Sequence, residues 1–194
     1  MTDAESGLTA ASRLPPGQVV TRKWPVLHYG TTPRIDLARW RLTISGSVEN
    51  PESLDFTQVE SLSGAVVRCD IHCVTRWSRL DNTFEGVPFT AIVARARPHP
   101  DARFVTVHAE FGFTANLRLD DLDRPDVLLA TRHDGAILTA DHGWPLRLVV
   151  PHLYFWKSVK WVRGIEFGDV ERPGFWERNG YHMRGDPWRE ERYG

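Results

Sequence analysis

The chain has 194 residues, with 24 Lys and Arg against 25 Asp and Glu, a formal charge of -1. That length suits one domain able to bury its own core, and the even charge balance excludes a general nucleic-acid binder, which needs clustered positive charge. Two cysteines, Cys69 and Cys73, are too few for a disulfide framework, and the most apolar run, 146–156, holds Arg147, Pro151 and His152 and is too short to span a bilayer. Residues 1–16 carry Asp3 and Glu5 and no apolar centre, so they do not read as a secretory signal. The expected compartment is the cytoplasm.

In chain order, residues 1–20 are small and polar around Pro15-Pro16-Gly17 and read as a flexible tail, leaving 21–194 as one domain. Arg39 to Ser45 alternates with Trp40, Leu42 and Ile44 on one face, a half-buried strand ending at Gly46. Asp55 to Leu62 reads as a short capped helix stopped near Gly64. Ala65 to Ile71 is a β-branched strand running into His72-Cys73, and residues 74–87 lack a period and read as a loop. Pro88 starts a helix through about Ala96, and Arg103 to Ala109 is another strand. Val127 to Thr131 and Ala136 to Leu138 flank His133-Asp134-Gly135, a hairpin turn. Leu146 to Val150 and Val159 to Phe167 supply two more strands. Arg172 to Gly194 is too aromatic for a disordered tail and is expected to wrap the surface. Many strands, few short helices and no regular βαβ alternation predict one α+β domain with mixed β-sheets.

The densest chemistry lies at Cys69-Asp70-Ile71-His72-Cys73-Val74-Thr75-Arg76-Trp77. Strand alternation sets Val66, Arg68, Asp70 and His72 on one face and Val67, Cys69, Ile71 and Cys73 on the other. Cys69 is then buried, whereas Cys73 stands at the strand end, where a thiol can meet a ligand. His72 and Arg76 nearby would favour its thiolate. Four readings compete: two buried apolar thiols, a structural zinc site lacking a second ligand pair, a cysteine hydrolase, and a single-thiolate metal site completed by an organic cofactor.

Only three lysines occur, and two of them fall in Trp156-Lys157-Ser158-Val159-Lys160-Trp161. Such lysines could snorkel from an exposed strand or answer a local need for ammonium groups. With His142-Gly143-Trp144-Pro145-Leu146-Arg147, this segment offers donors suited to an anionic ligand rich in acceptors. Trp24-Pro25-Val26-Leu27-His28-Tyr29-Gly30 adds an aromatic loop.

Cys73-Val74-Thr75-Arg76-Trp77, His142 to Arg147 and Lys157-Ser158-Val159-Lys160 together resemble the sulfite-oxidase-like family of molybdopterin-dependent oxidoreductases, in its short single-domain bacterial-type members. Pro173-Gly174-Phe175-Trp176-Glu177, Gly180-Tyr181-His182 and Gly185-Asp186-Pro187-Trp188 fit the same members. The resemblance implies that Cys73 is the protein ligand to molybdenum, beside two dithiolene sulfurs of the pterin and oxo groups. It implies that Leu27, His28, His108, His142, Arg147, Ser158, Val159 and Lys160 hold the pterin and its phosphate. Two-electron oxygen-atom transfer on a small sulfur or nitrogen oxide would follow, with Arg76 and Trp77 walling the substrate pocket. Sulfite oxidases proper place a pair of arginines shortly after the ligand cysteine; here Thr75 stands two positions on and Arg76 alone follows closely, which points away from sulfite. The chain carries no haem domain of the larger members, so a separate electron-transfer partner is expected. The alternative reading is a non-catalytic carrier or storage module for the cofactor.

Overall fold

Trp40, Leu42 and Ile44 are fully buried in the computed structural model of the chain, which describes residues 10–62 and 64–194. Burying each such side chain contributes about 1.5–3 kcal/mol, and they anchor β2 (Leu42–Gly46) in a five-stranded sheet of order β3-β2-β11-β6-β7. Its other members are β3 (Glu52–Leu54), β6 (Phe104–Ala109), β7 (Thr114–Arg118) and β11 (Val162–Gly168). β11 runs parallel to β2 and antiparallel to β6.

The second sheet has six strands. β5 (Trp77–Pro88), β8 (Leu128–His133) and β10 (Arg147–Val149) are consecutive neighbours. β4 (Ala65–His72) joins β5 antiparallel, β1 (Val19–Val20) joins it parallel, and β9 (Ala136–Ile137) pairs with β8. Both sheets mix parallel and antiparallel pairs, as the α+β expectation requires.

Leu129 and Leu148 face the main core between the sheets, whereas Leu128, Ala130 and Val149 face a second core with Val67, Ile71 and Phe84. β8 and β10 thus bury apolar residues on both faces, which explains the apolar run at 148–150. Helices are short: α1 (Phe56–Glu60), α2 (Phe89–Ala96), α3 (Leu119–Leu122) and α4 (Phe175–Arg178). Asp55 caps α1 in a reciprocal box with Gln58. Asp134 (φ 47°) and Gly135 (φ 77°) form the two-residue turn between β8 and β9.

Three expectations change. Residues 77–88 form a twelve-residue strand, where a loop was expected over 74–87. Register shifts at Cys69/Ile71 and Glu85/Gly86 interrupt β5's alternation and hide its period. The strand expected from Val159 begins at Val162, because residues 155–157 form a 3-10 turn. Part of the expected tail is pinned: Val19 and Val20 pair with β5, and Arg13 binds Asp70 (Nε to Oδ2, 2.9 Å). The rest of that tail, residues 1–9, lies outside the described residues.

The C-terminal stretch wraps the surface as expected. A bridge between Tyr181 and Tyr193 closes it on itself, and the buried pair Lys157–Glu177, 2.6 Å apart, ties it down.

Candidate active site

β4 and β5 form a hairpin in which His72 pairs with Ser78, and Cys73 occupies the connection. The Cys73 N–H donates to the Trp77 carbonyl (2.8 Å) and the Arg76 N–H to the Cys73 carbonyl (3.0 Å). Closing so tight a turn forces Arg76 to φ +72°, and its side chain points away as an exposed residue. Cys73 itself is buried, with Sγ 3.1 Å from Thr75 Oγ1. Two distant side chains grip the turn from behind: Gln18 Nε2 donates to the Cys73 carbonyl (3.0 Å) and Arg192 Nη1 to the Val74 carbonyl (2.5 Å).

Burial pushes the Cys73 thiol up, and the hydrogen bond from Thr75 and the charge of Arg192 oppose that rise. The support expected from Arg76 and His72 therefore comes from other residues. His72 is buried rather than facing solvent with Arg68; its Nδ1 lies 2.8 Å from Ser78 Oγ, and burial lowers it to about 4. Cys69 is half-buried beside Val67 and Ile71, its thiol pushed up to about 12 by burial.

A cavity of about 500 Å³ opens beside Cys73. Leu27, His28, His142, Arg147, Ser158, Val159 and Lys160 line it together with Cys73 and Trp77. Two expected residues do not. Arg76 lies outside the lining, and His108, on β6, has its Nε2 2.9 Å from Glu166 and faces away from the cavity. The chain adds aromatic walls that the motifs did not single out, notably Phe155, Phe111 and Phe113.

The charged part of the lining holds two cations, Arg147 and Lys160, and one carboxylate, Glu110, which lies 3.4 Å from Arg163 Nη1. Arg147 is fully buried, its Nη1 donating to the His142 carbonyl (2.8 Å) and Nη2 to the Ser158 carbonyl (2.9 Å). Its guanidinium carbon lies 4.4 Å from the Phe155 ring centroid and 5.2 Å from that of Trp24. Burial lowers it to about 9. Lys160 Nζ donates to the Asp141 carbonyl (2.6 Å) and sits 3.1 Å from His28 Nδ1; burial, then the charge of Arg147, bring it to about 7. Among the described residues neither cation has a carboxylate within ion-pair distance. Burial also holds His142 down near 4 and lowers His28. Gly143 at φ +110° lets this loop close, because a Cβ there would sit 2.9 Å from Arg147 Cβ.

Lys157 has a different role. Its Nζ, wholly buried, is saturated by Glu177, Asn116 and the Met183 carbonyl. Neither lysine snorkels from an exposed strand: one ties down the C-terminal segment and the other lines the cavity.

These residues fit an anionic, ring-bearing cofactor. Unpaired buried cations are costly until an anion meets them, and buried Trp77 Nε1, His142 Nδ1 and Arg147 Nε lack hydrogen-bond partners. The other readings fit less well. Among the described residues no group of three His, Cys, Asp or Glu converges on a metal site, and Thr75, with no histidine, is the hydrogen-bond partner of the Cys73 sulfur.

The family described as "Oxidoreductase molybdopterin binding domain" matches residues 29–176. The chain belongs to this molybdopterin-binding family of oxidoreductases. It is 50% identical over 184 residues to the uncharacterized oxidoreductase YuiH of Bacillus subtilis, covering 94% of this chain and 93% of that one. It is 30% identical over 159 residues to MsrP of Gluconobacter oxydans, named a protein-methionine-sulfoxide reductase catalytic subunit; the match covers 72% of this chain and 50% of MsrP. The crystal structure of the sulfane dehydrogenase SoxCD from Paracoccus pantotrophus matches with a TM-score of 0.68 at 22% identity, over 74% of this chain and 42% of that one, and shares the fold.

Proposed function

We propose that this oxidoreductase performs two-electron oxygen-atom transfer on a neutral organic oxide, a sulfoxide or N-oxide, with Cys73 as the protein ligand to molybdenum. The charge distribution of the cavity carries the reading. Its lining holds two cations, Arg147 beside His142 and Lys160 beside His28, suited to the anionic end of the cofactor. Arg76 is exposed and outside the lining, and Arg192 is buried against the Val74 carbonyl, so among the described residues Arg147 is the one arginine that lines the cavity, which disfavours a dianion such as sulfite. The name borne by MsrP agrees with a sulfoxide.

Bound in this cavity, molybdenum and its pterin would supply the two-electron redox chemistry. The chain's residues do the rest. Cys73 gives up its thiol proton and presents sulfur from a turn fixed at both ends. His28 and His142 are neutral at pH 7 and can accept or donate hydrogen bonds along a ring edge without adding charge. Tyr181 lines the same cavity; burial, with Tyr193 and Cys73 nearby, keeps its phenol protonated and able to donate to a substrate oxygen. Trp77, Trp156 and Trp176 exclude water around it.

The lining includes exposed Leu27, Tyr29 and Phe111, which favours turnover over sealed storage of a cofactor. Electrons would come from a separate carrier. Among the described residues no helix is long and apolar enough to cross a membrane. Steady-state assays with sulfite and with a panel of sulfoxides and N-oxides test the reading: reduction of the organic oxides is expected, and rapid sulfite oxidation would overturn it.

A further inference from the structure

We infer that Gln18 and Arg192, brought from opposite ends of the chain, are positioning residues that set the direction of the Cys73 side chain at the metal. The inference rests on Cys73 being the ligand. Gln18 and Arg192 take consecutive carbonyls, those of Cys73 (3.0 Å) and Val74 (2.5 Å). Fixing two successive peptide planes fixes the backbone on either side of Val74 and, through ψ of Cys73, the line along which its Cβ and sulfur project.

Each gripping side chain is itself held. Gln18 is buried, and its Oε1 accepts from Ser78 Oγ (3.2 Å), which lies 2.8 Å from His72 Nδ1, so this support reaches both strands of the hairpin. Arg192, 7% exposed, lies with its guanidinium carbon 5.0 Å from the Tyr154 ring centroid and its Nη2 3.4 Å from the Pro16 carbonyl. A planar fork can address carbonyls of two segments at once, which a point charge cannot.

Arg192 is not needed merely to fasten the C-terminal segment. Arg184 already binds Asp121 (2.9 Å) and Lys157 binds the Met183 carbonyl (2.6 Å). What Arg192 adds is contact with the ligand turn.

The test uses molybdenum-loaded protein and reads the visible absorption band from cysteine sulfur to metal, metal content, Tm, kcat and KM. Arg192→Met keeps an unbranched stem over Tyr154 and removes the donors. It is expected to retain the metal, shift the band, and lower kcat about tenfold or more, the usual cost of losing a group that orients a metal ligand, with KM unchanged. Arg192→Lys should restore Tm but only part of the band. Arg184→Met, which loosens the same segment away from the turn, should lower Tm and leave band and kcat alone. If Arg192→Met yields no folded protein, Gln18→Leu reads the same band. An unmoved band in Arg192→Met or Gln18→Leu, or an equal shift in Arg184→Met, overturns the inference. A Cys73→Ser protein with the wild-type band would instead overturn the ligand assignment itself.

Discussion

The imidazole of His142 lies flat on the indole of Trp24, ring centroids 3.9 Å apart and planes 9° from parallel. Arg147 approaches the same indole, so one aromatic side chain organises the loop at 24–31, the His142 segment and the buried cation together. Trp24→Ala should cost the stacking contribution of about 0.5–1.5 kcal/mol in addition to its packing and should lower the molybdenum carried per chain. Denaturant unfolding and metal analysis measure the two effects separately.

Removing the charge should act on cofactor retention more than on the fold. Arg147→Met relieves a buried charge that no carboxylate pairs but strands the His142 and Ser158 carbonyls it serves, opposing effects of about 1–3 kcal/mol each, so the net change in unfolding should be small. Bound molybdenum should fall sharply. Purified Arg147→Met protein with wild-type molybdenum would contradict the role given to this end of the cavity.

Acid should destabilise the fold through its buried histidines. His133 and His142 are each held near 4 by burial, against 6.5 for an unperturbed imidazole. Between those values the unfolded chain binds protons that the folded chain does not. Stability is therefore full above about 6.5 and falls as pH drops through 4, by at most about 1.4 kcal/mol per pH unit for each histidine. Denaturation midpoints across pH 7.5 to 4.5 should show the decline, and His133→Asn should flatten it.

Lys157 and Glu177 form a buried pair in which half-removal is worse than full removal. Lys157→Met strands a buried carboxylate and should cost about 3–5 kcal/mol, whereas Lys157→Met with Glu177→Leu should recover much of that loss. Thermal unfolding of the single and double variants decides it; equal losses would mean the pair is not coupled.

The sequence shows the cavity better than the support behind it. Cys73, His142, Arg147 and Lys160 stand in short local motifs, and their side chains converge as those motifs imply. Gln18 and Arg192 were not legible, because they reach the turn from 55 and 118 residues away and no local pattern marks them. Arg76 misled for a physical reason: proximity in sequence to Cys73 suggested proximity of charge, but the left-handed backbone that closes the turn sends its side chain outward. His108, which the resemblance assigned to the pterin, sits instead against Glu166 on the adjacent strand, a contact 58 residues distant in sequence that no local motif marks. The Asp134-Gly135 turn was readable because its chemistry is local, whereas β5 was hidden by bulges that only its partner strands explain.

The assignment of Cys73 is tested most directly by X-ray absorption at the molybdenum edge of the loaded protein. The account predicts three sulfur neighbours in the wild type, two from the cofactor and one from Cys73, and two in Cys73→Ser. An unchanged sulfur count in Cys73→Ser would contradict it.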